Sequence, residues 1–69
     1  MADSKVYKLV EIVGTSSDSI ESAVSAAVEK AAQSLHNLDW FEVDEIRGRI
    51  ADGKVAQYQV KLKVGFRLD

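Results

Sequence analysis

The dipeptide Asp52-Gly53 lies between two runs of strand-forming residues, 40–50 and 55–68. Asp-Gly readily adopts the paired positive φ angles of a two-residue hairpin turn, so these runs should fold back on each other. The second run alternates, with Tyr58, Val60, Leu62, Val64 and Phe66 on one face and Gln57, Gln59, Lys61 and Lys63 on the other. Both runs exceed the five or six residues of an ordinary strand. One helix cannot cover such a hairpin, so parts of it should meet other subunits.

Upstream, residues 5–13 read as a further strand, rich in β-branched side chains and bounded by the turn-rich Gly14-Thr15-Ser16-Ser17. Its apolar residues occur on both parities (Val6, Val10 and Ile12 against Tyr7, Leu9 and Val13), which implies burial on both faces. Residues 1–4 are polar and expected to fray. Asp18 and Glu21 have capping-box spacing. From there Ile20, Val24, Ala27, Val28, Ala31, Leu35 and Leu38 recur at steps of three and four. This predicts a helix over 18–37, roughly 30 Å long, stopped at Asn37. Alanines at 23, 26, 27, 31 and 32 allow it to lie close to a sheet. The expected fold is α+β, a single domain over 1–69 with order β-α-β-β. Its three-stranded antiparallel sheet, ordered 1-3-2, wraps around one long helix.

The hairpin turn sets a trial register. With Ala51 facing Lys54, Phe41 meets Val64, Val43 meets Leu62, Trp40 meets Gly65 and Ile46 meets Gln59. Trp40 and Gln59 then share the outer surface, separated by six residues of about 3.3 Å each, which suggests a site shared between subunits. The same register turns Glu45 and Arg47 toward the helix. Either a bulge near 46–48 corrects this, or the charges project beyond the helix edge.

A chain of 69 residues buries only about 60% of its unfolded surface. There is no cysteine and only one histidine, so neither disulfides nor a structural zinc site supplies the missing stability, and oligomerisation is the expected source. A net charge of −2 argues against a nucleic-acid partner. No apolar run suits a signal peptide or membrane span, so no membrane partner is expected and the default compartment is the cytoplasm.

The chain has no phosphate-binding glycine loop, paired-cysteine motif or metal-spaced histidines. His36 stands alone, and Glu42, Asp44 and Glu45 read most simply as a solvated strand. No constellation supports catalysis. Trp40 is different. Its period-two neighbours are the acidic Glu42 and Asp44, so its ring lies on a polar face and needs a flat or apolar cover. That cover is either another subunit or a stacked ligand. Gln59 carries a donor and an acceptor suited to a heterocycle edge. Arg47, Arg49 and Arg67 either hold a phosphate or keep the surface solvated.

Five segments in order bear a family resemblance: Glu11-Ile12-Val13-Gly14-Thr15-Ser16, Leu38-Asp39-Trp40-Phe41-Glu42-Val43, Ile46-Arg47-Gly48, Tyr58-Gln59-Val60 and Val64-Gly65-Phe66-Arg67-Leu68. Over roughly 5–68 the chain resembles the dodecins, small flavin-binding proteins that assemble as hollow twelve-subunit shells. The resemblance implies a homo-oligomer, a dodecamer, that binds, stores and protects flavin without turnover. It implies that Trp40 stacks on the isoalloxazine ring, with flavins paired between symmetry-related tryptophans at a two-fold axis. It assigns the ring's polar edge to Gln59 and phosphate contacts, including those to coenzyme A in some members, to Arg47 and Arg67. The arginines favour FMN over riboflavin. Two other readings stay open: a coenzyme A or nucleotide carrier that uses the arginines, and a ligand-free structural oligomer.

Overall fold

Asp52 and Gly53 both have positive φ, 53° and 74°, the pairing of a type I′ turn, and Ala51 faces Lys54 across it. The computed structural model describes residues 4–69. The expected fraying of 1–4 falls mostly on residues 1–3, which lie outside the described residues. Strand β1 (Val6–Ser16), helix α1 (Ile20–Ala32), strand β2 (Leu38–Ala51) and strand β3 (Lys54–Leu68) follow in order. The antiparallel sheet is ordered β1-β3-β2, the expected order.

The helix lies on the face of β3 that carries Val60, Leu62 and Val64, all fully buried. Its contact row is Ala23, Ala27 and Ala31, with Val24 and Val28 beside it. The stripe is therefore centred on alanines, and the larger residues expected to form it lie at its flank. Small side chains are needed because Gly14 touches the helix: a β-carbon there would collide with the Ala23 carbonyl oxygen and lie 2.9 Å from Ala27 Cβ. This close approach also keeps Gly14, Thr15 and Ser16 within β1, paired with Val60, Gln59 and Tyr58, where a turn was expected.

Helix α1 is shorter than expected at both ends. Ser19, not Asp18, is the N-cap, its hydroxyl accepting from the Ser22 amide at 2.9 Å. Ser16 Oγ accepts from the Asp18 amide at 2.9 Å and fixes the entry. Glu21 sits in the first turn, where its charge suits the helix dipole. At the other end the Ser34 and Leu35 amides both donate to Ala31 O, which closes the last turn. The 13 residues span about 20 Å. Asn37, the expected stop, instead has φ 62° in the connection to β2.

A folded chain of this length has a radius of gyration near 11 Å, whereas this one has 14.7 Å and measures 60 × 21 × 14 Å. The helix barely reaches β2, no residue of which is buried. Phe41, Val43, Ile46, Ile50 and Val55 all remain exposed, Ile50 at 77%.

Candidate functional site

Strand β2 contains one residue more than a straight ladder allows between Val43 and Glu45, and β3 one more between Val55 and Gln57. The first irregularity shifts the register at Asp44 and the second restores it before the turn. From Trp40 to Val43 and again beside the turn the trial register holds: Trp40 faces Gly65, Phe41 faces Val64, Val43 faces Leu62 and Ile50 faces Val55. A further irregularity at Asp39 sets Leu38 opposite Phe66. Between the bulges it is wrong by one residue. Gln59 faces Arg47, not Ile46, which pairs with Val60. The shift resolves the misplaced charges: Glu45 and Arg47 leave the helix side for the outer face, and Ile46 takes the inner one. The correction begins upstream of the expected 46–48.

Trp40 therefore shares the outer face with Gly65, and the glycine explains its posture. A β-carbon at 65 would lie 2.5 Å from Trp40 Cε2 and Cζ2 and 2.7 Å from Cδ2. Three ring carbons at nearly equal distance mean that the face of the indole, not its edge, lies on the glycine. The space above Gly65 is thus filled by the tryptophan itself. Tyr7 of β1 flanks it, with ring centroids 5.1 Å apart and planes at 60°, a favourable tilted aromatic geometry. Trp40 is still 41% exposed.

Arg67 lies at the same end, opposite Tyr7 in the β1–β3 ladder. A cleft of about 220 Å³ opens there between Tyr7, Asn37, Leu38, Asp39 and Arg67. The Arg67 guanidinium is 3.7 Å from Asp69, and its backbone amide donates to Asn37 O at 3.1 Å.

Arg47 and Gln59 form a second cluster. Arg47 Nε donates to Gln59 Oε1 at 2.9 Å, and Gln59 Nε2 donates to Gln57 Oε1 at 2.9 Å. Arg47 Nη1 lies 3.9 Å from Glu45 Oε1. Six residues of β3 separate Gln59 from Gly65, about 20 Å of strand. The structure joins Arg47 to Gln59 and sets Arg67 near Trp40, but one chain does not bring the two clusters together. Lysines and carboxylates occupy the outer face between them. Lys63 Nζ donates to Asp44 Oδ2 at 2.8 Å and Lys61 lies 3.7 Å from Glu11. The hydrogen bond to Asp44 holds the Lys63 ammonium above its ordinary pKa. Desolvation opposes this, and the smaller effects of the Asp44, Glu11 and Glu42 charges reinforce it.

Tyr7 and Gln57 were not singled out from sequence. Tyr7 read as a core residue, although its parity with Leu9 and Val13 puts it on the outer face with Gly65 once β1 pairs with β3. Gln57 carried no signal beyond sharing a face with Gln59. Among the described residues, no three His, Cys, Asp or Glu side chains group to hold a metal, and no helix is long and apolar enough to cross a membrane.

The dodecin family model matches residues 6–69. The dodecin of Thermus thermophilus is 57% identical over 65 residues, 94% of each chain. Crystal structures of that protein include variants with a tryptophan changed to phenylalanine or one of two arginines changed to alanine. The tryptophan variant superposes at a TM-score of 0.92 with 55% identity, over 96% of this chain and 98% of that one. Dodecin from Streptomyces coelicolor gives 0.93 at 51% identity, over 99% and 97%. Calcium dodecin of Mycobacterium tuberculosis is 33% identical over 63 residues, 91% of this chain and 89% of that protein. The strand order, the single crossover helix and the long hairpin are thus held in common with these proteins, and the chain belongs to the dodecin family.

Proposed function

We propose that this protein binds flavin for storage and sequestration, and that it works as a homo-oligomer. The observation that carries the reading is the indole of Trp40, laid face-down on Gly65 and still 41% exposed. An aromatic plane supported from below and open to an outer surface suits a flat heterocycle stacked upon it. The fit to isoalloxazine is chemical as well as geometric. Trp40 offers the stacking surface, and Gln59 offers an amide for the polar edge of the ring. Arg47 and Arg67 are cations available to the phosphate of FMN, so FMN is favoured over riboflavin. The tryptophan and two arginines substituted in the Thermus thermophilus protein have the sequence separations of Trp40, Arg47 and Arg67, which supports the choice of these three.

Within one chain the Trp40 and Gln59 clusters are about 20 Å apart, too far for one ring system. A second copy must therefore supply one of them. The elongated shape and the uncovered apolar residues of β2 are reasons for the chain to associate, since apolar surface of this extent is normally an interface. Twelve subunits is the assembly implied by family.

When bound, the isoalloxazine supplies a light-excited state. The electron-rich indole of Trp40 can quench it by donating an electron, so holding flavin here limits both its free concentration and its photochemistry. The protein is proposed not to be an enzyme, a reading supported by the lack of an acid–base pair or activated nucleophile among the described residues. Replacing Trp40 with Ala should weaken binding and restore emission to the flavin that stays bound. Unchanged affinity and unchanged quenching in that variant would remove Trp40 from the site.

A further inference from the structure

The Arg47–Gln59–Gln57 chain has a direction. Arginine has only donors, so the Gln59 amide atom facing Arg47 Nε at 2.9 Å is the oxygen. The amide nitrogen is thereby turned away, toward Gln57 Oε1 at 2.9 Å. Gln57 and Gln59 stand two residues apart on the same face of β3, so the strand holds them at a fixed spacing. Across from them, Arg49 faces Gln57 and Arg47 faces Gln59. The paired irregularities at Ala56 and Asp44 create this alignment, for the unshifted register would put Ile46 opposite Gln59. One amide proton of Gln59 is taken by Gln57 and the other remains available. The cation at the head of the chain polarises the amide and strengthens that remaining donor. Arg47 itself is held between Gln59 and Glu45, both on its own sheet face.

We propose that Arg47 is a positioning residue, which with Gln57 fixes the Gln59 amide so that its free N–H is presented to a carbonyl oxygen of the bound ring. This rests on the flavin reading and narrows it. Of the two arginines available to the phosphate, Arg47 is reassigned to the ring edge through Gln59 and Arg67 keeps the phosphate. The ligand must offer an acceptor at the edge facing Gln59. A heterocycle with a ring carbonyl there is selected over one presenting only donors.

Two measurements on R47M, which keeps the apolar stem and removes the donors, test the proposal. In the flavin-free protein, the side-chain amide NMR signals of Gln59 and Gln57 should both move, because both lose their orientation; unmoved signals overturn it. In flavin titrations, R47M should weaken FMN and riboflavin by the same factor, about tenfold, and adding Q59A should cost little more. Loss confined to FMN makes Arg47 a phosphate contact and overturns the proposal alone. Losses that multiply in the double variant also overturn it. A wild-type protein that binds neither flavin overturns the flavin reading and the proposal with it.

Discussion

Trp40 lies face-down on Gly65, and the fit depends on the missing β-carbon, which would stand 2.5 Å from two ring carbons. A tryptophan on a strand's polar face would ordinarily sample several rotamers. Here the glycine across the ladder gives one pose a floor, and Tyr7 at 5.1 Å gives it a wall. Side-chain entropy is then lost on folding and not on ligand binding.

Gly65→Ala should therefore damage binding more than folding. The ring is on the outer face and can swing clear, so thermal unfolding should shift little while flavin affinity falls about tenfold or more, as expected for losing a preorganised stacking surface. Parallel melting curves and titrations read the two effects. A large drop in melting temperature with intact affinity would contradict the assignment.

Gly14→Ala should do the reverse. The added methyl meets the Ala23 carbonyl oxygen and Ala27 Cβ, neither of which can turn aside. Overpacking of this kind costs about 1–3 kcal/mol, and urea unfolding should show it even in flavin-free protein.

Ser19→Ala should cost about 1 kcal/mol through loss of the cap to the Ser22 amide. Asp18→Ala should cost much less, since only its backbone amide takes part, donating to Ser16 Oγ. Denaturant midpoints of the two variants measure the difference.

The Lys63–Asp44 pair bears on alkaline stability. The folded pKa of Lys63 is raised, so its contribution is fully present below the unfolded value of about 10.4 and disappears as pH rises through the folded one. The stability advantage of wild type over Asp44→Asn should hold near pH 9 and shrink well above pH 10.5. An advantage that grew with pH would give the shift the wrong sign.

Much of this was legible in the chain itself. Asp52-Gly53 fixed the turn, and the Trp40–Gly65 and Phe41–Val64 pairs expected from it hold because the two bulges between them and the turn cancel. The period-two pattern of β3 named the buried row Val60, Leu62 and Val64. What escaped was non-local. The shifts at Asp44 and Ala56 are backbone irregularities with no side-chain signature, and only the awkward placement of Glu45 and Arg47 hinted at them; the Arg47–Gln59 pairing lies between them. Ser19 was passed over as N-cap because Asp18 and Glu21 also have capping spacing, and local chemistry does not choose between adjacent candidates. Gly14 looked like a turn because its real reason, contact with Ala23, lies across the helix–sheet interface.

The most direct test of the central claim is a fluorescence titration of free FMN with the flavin-free protein. Saturable quenching is expected, with an oligomeric particle by light scattering at the same concentrations. A well-folded oligomer that leaves FMN emission unchanged would contradict it and return Trp40 to the role of a subunit contact.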